Sequence, residues 1–250
     1  MSASKKVKVA LVLIVIAVIG NTALYLLGVS PFNTTEISER WSANSQEIQN
    51  IQVISDTQNI ELTPTKGETI EAKLTGTITT RWADDYELQV SHSGKNVVIS
   101  VKEKTAEKFF VLYSNVKLTI QIPQQVFAQL QIQTDTGNIS IEEVHAIEYQ
   151  IASNTGNFLA NVNDGKFNVS TDTGEVSLHL KKITSDIFVK TDTGNVSVTA
   201  YEIPNSLQHE LKTVDGSVES NLPPSIASNS NKTPRVRLVS DTGNLVFTQR

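Results

Sequence analysis

The sequence predicts an all-β fold, a single-chain parallel β-helix or β-solenoid with rungs of about 20 residues, preceded by one N-terminal transmembrane helix. Three observations predict it: a Gly-ended corner recurs along the chain, aliphatic columns flank every copy of it, and an unbroken apolar run opens the sequence.

The apolar run comes first. From Val9 to Leu27 the only polar residues are Asn21 and Thr22, and that length is near the ~20 residues a helix needs to cross a ~30 Å hydrocarbon layer. Lys5, Lys6 and Lys8 precede it with no acid among them, so the positive-inside rule keeps residues 1–6 cytoplasmic, 7–28 in the membrane and the remainder outside. A cleaved signal peptide is the alternative, with Ser30 and Gly28 at the −1 and −3 positions. Pro31 would then follow the cut, and without a Cys no lipoprotein can form. Residues 29–47 read as a juxtamembrane linker and 48–250 as the solenoid domain.

The corner reads Thr134-Asp135-Thr136-Gly137, Ser153-Asn154-Thr155-Gly156, Thr171-Asp172-Thr173-Gly174, Thr191-Asp192-Thr193-Gly194, Thr213-Val214-Asp215-Gly216 and Ser240-Asp241-Thr242-Gly243. An earlier partial copy, Ser55-Asp56-Thr57-Gln58, has Gln in place of Gly. Five residues before the Gly stand Ile132, Ile151, Val169, Val189, Leu211 and Leu238. Two after it stand Ile139, Phe158, Val176, Val196, Val218 and Leu245. Spacing by two on both sides of a tight corner means two short strands with one apolar face. One such unit cannot bury that face, whereas units stacked at ~4.8 Å form a continuous core. The Gly is expected to supply positive φ, and the Asp or Asn two places earlier to close the corner through an Asx hydrogen bond.

Upstream, Tyr86–Ser91 and Val97–Val101 alternate apolar and polar around Ser93-Gly94-Lys95-Asn96, which predicts a hairpin. Val116–Pro123 is a further strand, ended by its proline. Residues 103–114 are a charged then aromatic connector with Phe109 and Phe110, and 223–235 are a Pro/Ser/Asn-rich loop that delays the last repeat.

On these residues the chain resembles the bacterial putative-adhesin family, a domain of unknown function. The resemblance covers Ile48 to Arg250 and rests on Leu118-Thr119-Ile120-Gln121-Ile122-Pro123, on Leu130–Ile139 with its Thr-Gly corner, and on the later corners. The family's usual Ser-Gly-Asp corner is replaced by Thr-Gly-Asn in several rungs. With a single anchor ahead of it, the chain also looks like the membrane-bound accessory proteins of Gram-positive envelope-stress operons. The resemblance implies the fold; its implied role is a non-catalytic interaction module, adhesin-like or acting in envelope stress.

Chemistry is sparse. The formal charge is −5, and setting aside the three anchor lysines leaves −8 outside, with no basic cluster to neutralise phosphates, so nucleic acid is not a partner. Asp-Thr-Gly is the triplet of aspartic proteases, but here it follows Thr or Ser at rung spacing and meets no facing partner. Asp172 and Asp192 are adjacent in the corner column and raise the question of a cation, while the calcium nonapeptide is absent. His92, His145, His179 and His209 fall at no ligand spacing and read as surface residues. No catalytic, cofactor-binding or metal residue is assigned, and no cofactor. The expected partners are the cytoplasmic membrane, through residues 7–28, an envelope glycan or protein, and a second copy through the solenoid ends. The alternatives are a glycan-active β-helix enzyme and a self-assembling scaffold.

Overall fold

The computed structural model describes residues 3–105, 113–223 and 233–250. A helix, α1 (Ala3–Leu26), is followed by nineteen strands among the described residues. The first seven are β1 (Thr34–Asn44), β2 (Asn50–Ser55), β3 (Asn59–Thr65), β4 (Thr69–Thr79), β5 (Tyr86–Ser93), β6 (Asn96–Glu103) and β7 (Ser114–Pro123), with a 3-10 turn, Thr80–Asp85, between β4 and β5. The repeats then supply pairs: β8 (Val126–Thr136) and β9 (Ile139–Glu142), β10 (His145–Thr155) and β11 (Phe158–Val162), β12 (Lys166–Thr173) and β13 (Val176–Lys182), β14 (Ile187–Thr193) and β15 (Val196–Glu202), β16 (Gln208–Asp215) and β17 (Val218–Ser220), β18 (Arg235–Thr242) and β19 (Leu245–Gln249). Phe109, Phe110 and most of the two loops singled out in the sequence lie outside the described residues.

Each corner sends its two strands to two different sheets. Sheet A runs β1-β4-β7-β3-β9-β11-β13-β15-β19-β17, and sheet B runs β16-β18-β14-β12-β10-β8-β2-β6-β5. From β7 and β6 onward the pairing is parallel, and the sheets face one another across a single apolar core. The expected columns are in register: Val53, Ile132, Ile151, Val169, Val189 and Leu238 stack in sheet B, while Ile60, Ile139, Phe158, Val176, Val196 and Leu245 stack in sheet A. All twelve are buried.

Three features depart from a simple sequential stack. Residues 29–47, read as a linker, contain β1, which pairs antiparallel with β4 along eleven residues and packs Ile37 and Trp41 against the core. The predicted hairpin β5–β6 is present, but β6 also pairs in parallel with β2, so it belongs to the stack. The rung of Gly243 does not follow that of Gly216; it is inserted between the rungs of Gly194 and Gly216. The physical reason lies in the inner positions. β18 and β19 offer Val236, Leu238, Leu245 and Phe247, all fully buried, whereas the Gly216 rung offers His209, Leu211, Val218 and Ser220. The more polar unit takes the end of the stack, as terminal repeats do.

The corner glycines are required chiefly by what lies below them. Their φ values run from +142° to +153°, a region open to glycine alone. A Cβ on Gly174 would stand 2.7 Å from the carbonyl carbon of Gly156 in the rung below. Each glycine of the column meets its predecessor in the same way, in the order 137, 156, 174, 194, 243, 216, which traces the stack independently. Gln58 begins the column: Gly137 rests on its carbonyl, while Gln58 itself has no glycine corner beneath it, so a side chain fits.

The corner hydrogen bonds found among the described residues come from asparagine and not from the Asx bond expected of the aspartates. The residue after the Gly forms a ladder in which Asn59 Oδ1 accepts the Asn138 amide (2.9 Å), Asn138 Oδ1 that of Asn157 (3.0 Å) and Asn157 Oδ1 that of Glu175 (2.9 Å). It continues from Asn195 to Asn244 and from Asn244 to Ser217, both at 2.9 Å. Each such bond satisfies a backbone donor at a turn, where strand pairing cannot reach.

A candidate interaction surface on sheet B

The outward positions of sheet B form columns as regular as the inward ones. Gln52, Gln131, Gln150 and Asn168 are stacked neighbours across β2, β8, β10 and β12. The next column holds Ile54, Gln133, Ala152 and Ser170. Because Ala152 and Ser170 are short, the surface dips between the amide ladder and the corners. Two open depressions share Gln133 and Ala152 as floor: one of about 300 Å³ is bordered by Asp56, Asp135 and Asn154, and one of about 160 Å³ by Gln131, Gln150 and Asn168. Toward the C-terminal end the amide column continues into Phe188, half-buried, with the Arg237 guanidinium 5.8 Å above its ring.

The amides are uncharged and present both donors and acceptors. The acid nearest to them, Glu148, is engaged: Lys166 Nζ lies at 3.1 Å and Gln150 Nε2 donates at 3.3 Å. The Lys166 hydrogen bond, helped by Gln150, holds that carboxyl below the ordinary glutamate range. The amide row of sheet B is therefore a neutral hydrogen-bonding surface, with Asp56 and Asp135 at the margin of one depression, while the chain as a whole is acidic.

The aspartate column differs from its order in the sequence. Because the Gly243 rung follows that of Gly194, Asp172, Asp192 and Asp241 occupy three successive rungs, so there are two adjacent acidic pairs at this end and not one. Lys190 stands among them. Its Nζ is 3.0 Å from Asp192 Oδ1, and Asp192 first, then Asp241 and Asp172, raise its pKa. At the other end of the column Asp135 Oδ1 accepts the side-chain amide of Asn154 at 3.2 Å. Among the described residues no three His, Cys, Asp or Glu side chains come together as metal ligands.

The histidines are not all surface residues. His92 is exposed and contacts the Gly94 carbonyl at 2.9 Å. His145 is half-buried beside Asn163 Nδ2 at 3.3 Å, and His179 is half-buried on β13. His209 takes an inward position in the last rung, edge-on to Phe247 with ring centroids 5.9 Å apart. Its place follows from the alternation, two residues before inward Leu211.

Sequence reasoning also passed over the Ser or Thr three residues before each Gly. Ser55, Thr134, Ser153, Thr171, Thr191 and Ser240 are buried beneath the corners. Their hydroxyl partners differ: Ser240 and, in the last rung, Thr213 donate to the glycine carbonyl of the neighbouring rung, Gly194 (3.0 Å) and Gly243 (2.9 Å), whereas Ser55 donates to Gln58 Oε1 (2.6 Å) and Thr134 reaches the Asp56 and Thr136 carbonyls (both 3.4 Å). The signal was present, since an inward residue at −5 makes −3 inward too.

The sequence profile of the Toastrack DUF4097 family matches residues 48–160 and, in a second overlapping copy, 126–245. The chain belongs to the Toastrack family. The two matched spans share β8, β9 and β10, as expected when one profile is laid twice along a continuous stack. Among solved structures, a putative cell adhesion protein from Clostridium sporogenes is similar: it is 11% identical, covers 86% of this chain and 100% of its own, and superposes with a TM-score of 0.51. A putative adhesin from Bacteroides fragilis is 13% identical over 86% of this chain and 97% of its own, with a TM-score of 0.46. The first likeness shows that the Toastrack fold is shared, and nothing about activity. No curated protein matches the chain.

Proposed function

We propose that this Toastrack chain is a single-pass membrane protein, N-terminus cytoplasmic, whose outward solenoid is a non-catalytic interaction module of the cell envelope, in adhesion or in buffering envelope stress. Its contact surface is the amide ladder of sheet B, and the ligand class is a neutral polymer rich in hydroxyl and amide groups, such as an envelope glycan. The observation that carries the reading is the row Gln52, Gln131, Gln150 and Asn168 beside two open depressions. Such a row offers a repeated donor and acceptor every ~4.8 Å to an extended ligand. An overall acidic protein repels polyanions, which favours a neutral ligand.

Membrane anchoring is supported by the helix. Lys5–Leu26 is long and apolar enough to cross a bilayer, and large apolar side chains along it, such as Ile16 and Ile19, are exposed. The Thr22 hydroxyl and the Asn21 side-chain oxygen are engaged locally, as suits lipid: Thr22 donates to the Val18 carbonyl (2.8 Å), and Asn21 Oδ1 accepts from Ser30 Oγ (2.8 Å).

The test is binding of the full-length chain, reconstituted in vesicles, to isolated envelope polysaccharide, with and without a calcium chelator. Binding should persist on chelation and fall in Gln131→Ala/Gln150→Ala, while that variant keeps its melting temperature. Unchanged binding by the folded double variant would reject the surface. Recovery from cells of a soluble chain beginning near Pro31 would reject the anchor.

A further inference from the structure

The two ends of the stack are finished differently. At the β5 end of sheet B, Glu39 of β1 accepts the Leu88 amide through Oε2 at 2.6 Å, so a side chain occupies an outward amide of that edge strand. At the other end β16 and β17 form the last rung. There Leu211 is only half-buried, and Val214 and Val218 are 78% and 52% exposed. The Gln208 amide donates to Pro234, on the β18 side. Backbone groups alternate along a strand, so the amides and carbonyls of Leu211 and Thr213 point away from β18. Among the described residues no strand pairs with β16 on that side.

We propose that a second copy of this chain docks there, by antiparallel pairing of β16 with the same strand about a two-fold axis through Leu211. The local order is Glu210-Leu211-Lys212. In that register Leu211 faces its equivalent and exchanges two backbone hydrogen bonds with it, and each Glu210 stands directly opposite Lys212 of the other copy. Registers centred on Glu210 or on Lys212 would instead set like charges opposite one another, which is unfavourable. Both side chains are exposed on the outer face. Glu210 is held by Arg237 at 3.2 Å, whereas Lys212 has no acidic partner among the described residues. The inner side of Leu211 would continue the aliphatic column and cover the open core. A two-fold contact of this kind closes as a dimer. This inference does not depend on the ligand of the sheet B face.

A lone Lys212 would also serve to blunt a free edge against pairing, and charge exchange separates the two roles. The full-length chain in detergent micelles is followed by analytical ultracentrifugation over a concentration series. Pairing predicts a concentration-dependent dimer, weakened about tenfold or more in Lys212→Glu, because two opposed pairs become like-charged. The exchanged variant Glu210→Lys/Lys212→Glu should regain the dimer, since the opposite charges face one another again. A wild-type chain that stays monomeric would overturn the proposal. So would a Lys212→Glu chain that dimerises as well as wild type, which would place the contact elsewhere, or a folded exchanged variant that fails to recover.

Discussion

Adding one methyl group at the centre of the glycine column should cost more than removing a whole side chain from the surface. Gly174 has φ +153°, and a Cβ there would stand 2.7 Å from the carbonyl carbon of Gly156, where carbon atoms normally rest ~3.5–4.0 Å apart. The rungs would have to separate by about 1 Å. That strains the bond joining the two corners, Gly156 N to Thr173 O at 2.9 Å. The conformational term is about 1–3 kcal/mol and the overpacking term about 1–3 kcal/mol, so Gly174→Ala should destabilise by about 2–6 kcal/mol. Gly94 provides the control. It too has positive φ, +56°, but nothing lies within 4 Å of its Cβ position, so Gly94→Ala should cost only about 1–2 kcal/mol. Asn168→Ala, on the exposed face, should stay within about 0.5 kcal/mol. Urea unfolding followed by circular dichroism ranks the three. Equal midpoints for Gly174→Ala and Gly94→Ala would show that the carbonyl below Gly174 is not the constraint, and the stacking account would fail.

Three further outcomes follow from the same structure. Tyr149 donates to the Val144 carbonyl (2.6 Å), accepts the Ala146 amide (2.9 Å) and stacks on Phe167 at 4.4 Å, so Tyr149→Phe strands two buried groups and should cost about 1–3 kcal/mol in a urea titration. Burial pushes its hydroxyl up to about 12; the folded state therefore holds the proton more tightly, and its contribution, complete below pH ~10, should be lost as pH rises from there through 12, a loss absent from Tyr149→Phe. Asn157→Ala removes one link of the corner ladder and should lower stability by about 1 kcal/mol, while Asn157→Asp, which keeps the acceptor, should cost less by the same measurement. Asp172→Asn/Asp192→Asn should leave the urea midpoint and polysaccharide binding intact; loss of binding by the folded double variant, together with loss of wild-type binding on chelation, would reveal a cation site in that column.

The parts of the molecule that repeat were legible from sequence, because alternation and a fixed corner residue leave only one arrangement of the apolar face. Val169 inward and Asn168 outward follow from period two alone. The order of the rungs was less accessible. Adjacent rungs make similar contacts, so local sequence does not state which unit lies next to which; the weaker apolar face of the Gly216 unit, with Ser220 where Phe247 stands in the other, was the available sign. The place of β1 was hidden because Thr34–Asn44 alternates only half-buried with exposed residues, which reads as a polar linker until β4 is known to lie beside it. The sheet B surface was missed for the opposite reason: Gln131, Gln150 and Asn168 are unremarkable singly, and only the register makes them a row. The aspartates drew attention because acids suggest chemistry, while the neighbouring asparagines did the structural task.

The insertion of β18 and β19 between two earlier units also has a bearing on how the chain is made. A solenoid built in sequence order can add each turn as it leaves the ribosome or the export channel. Here the unit of Gly216 emerges before the one on which it will rest, because its partner strands, β18 and β19, come later in the chain. The same inversion occurs near the start, where β2 and β3 emerge well before β6 and β7 on one side and β8 and β9 on the other. Vectorial folding can therefore proceed only through the middle of the stack. Completion of the Gly216 unit awaits residues 235–249, and a ribosome stalled before residue 235 would leave it without its seat.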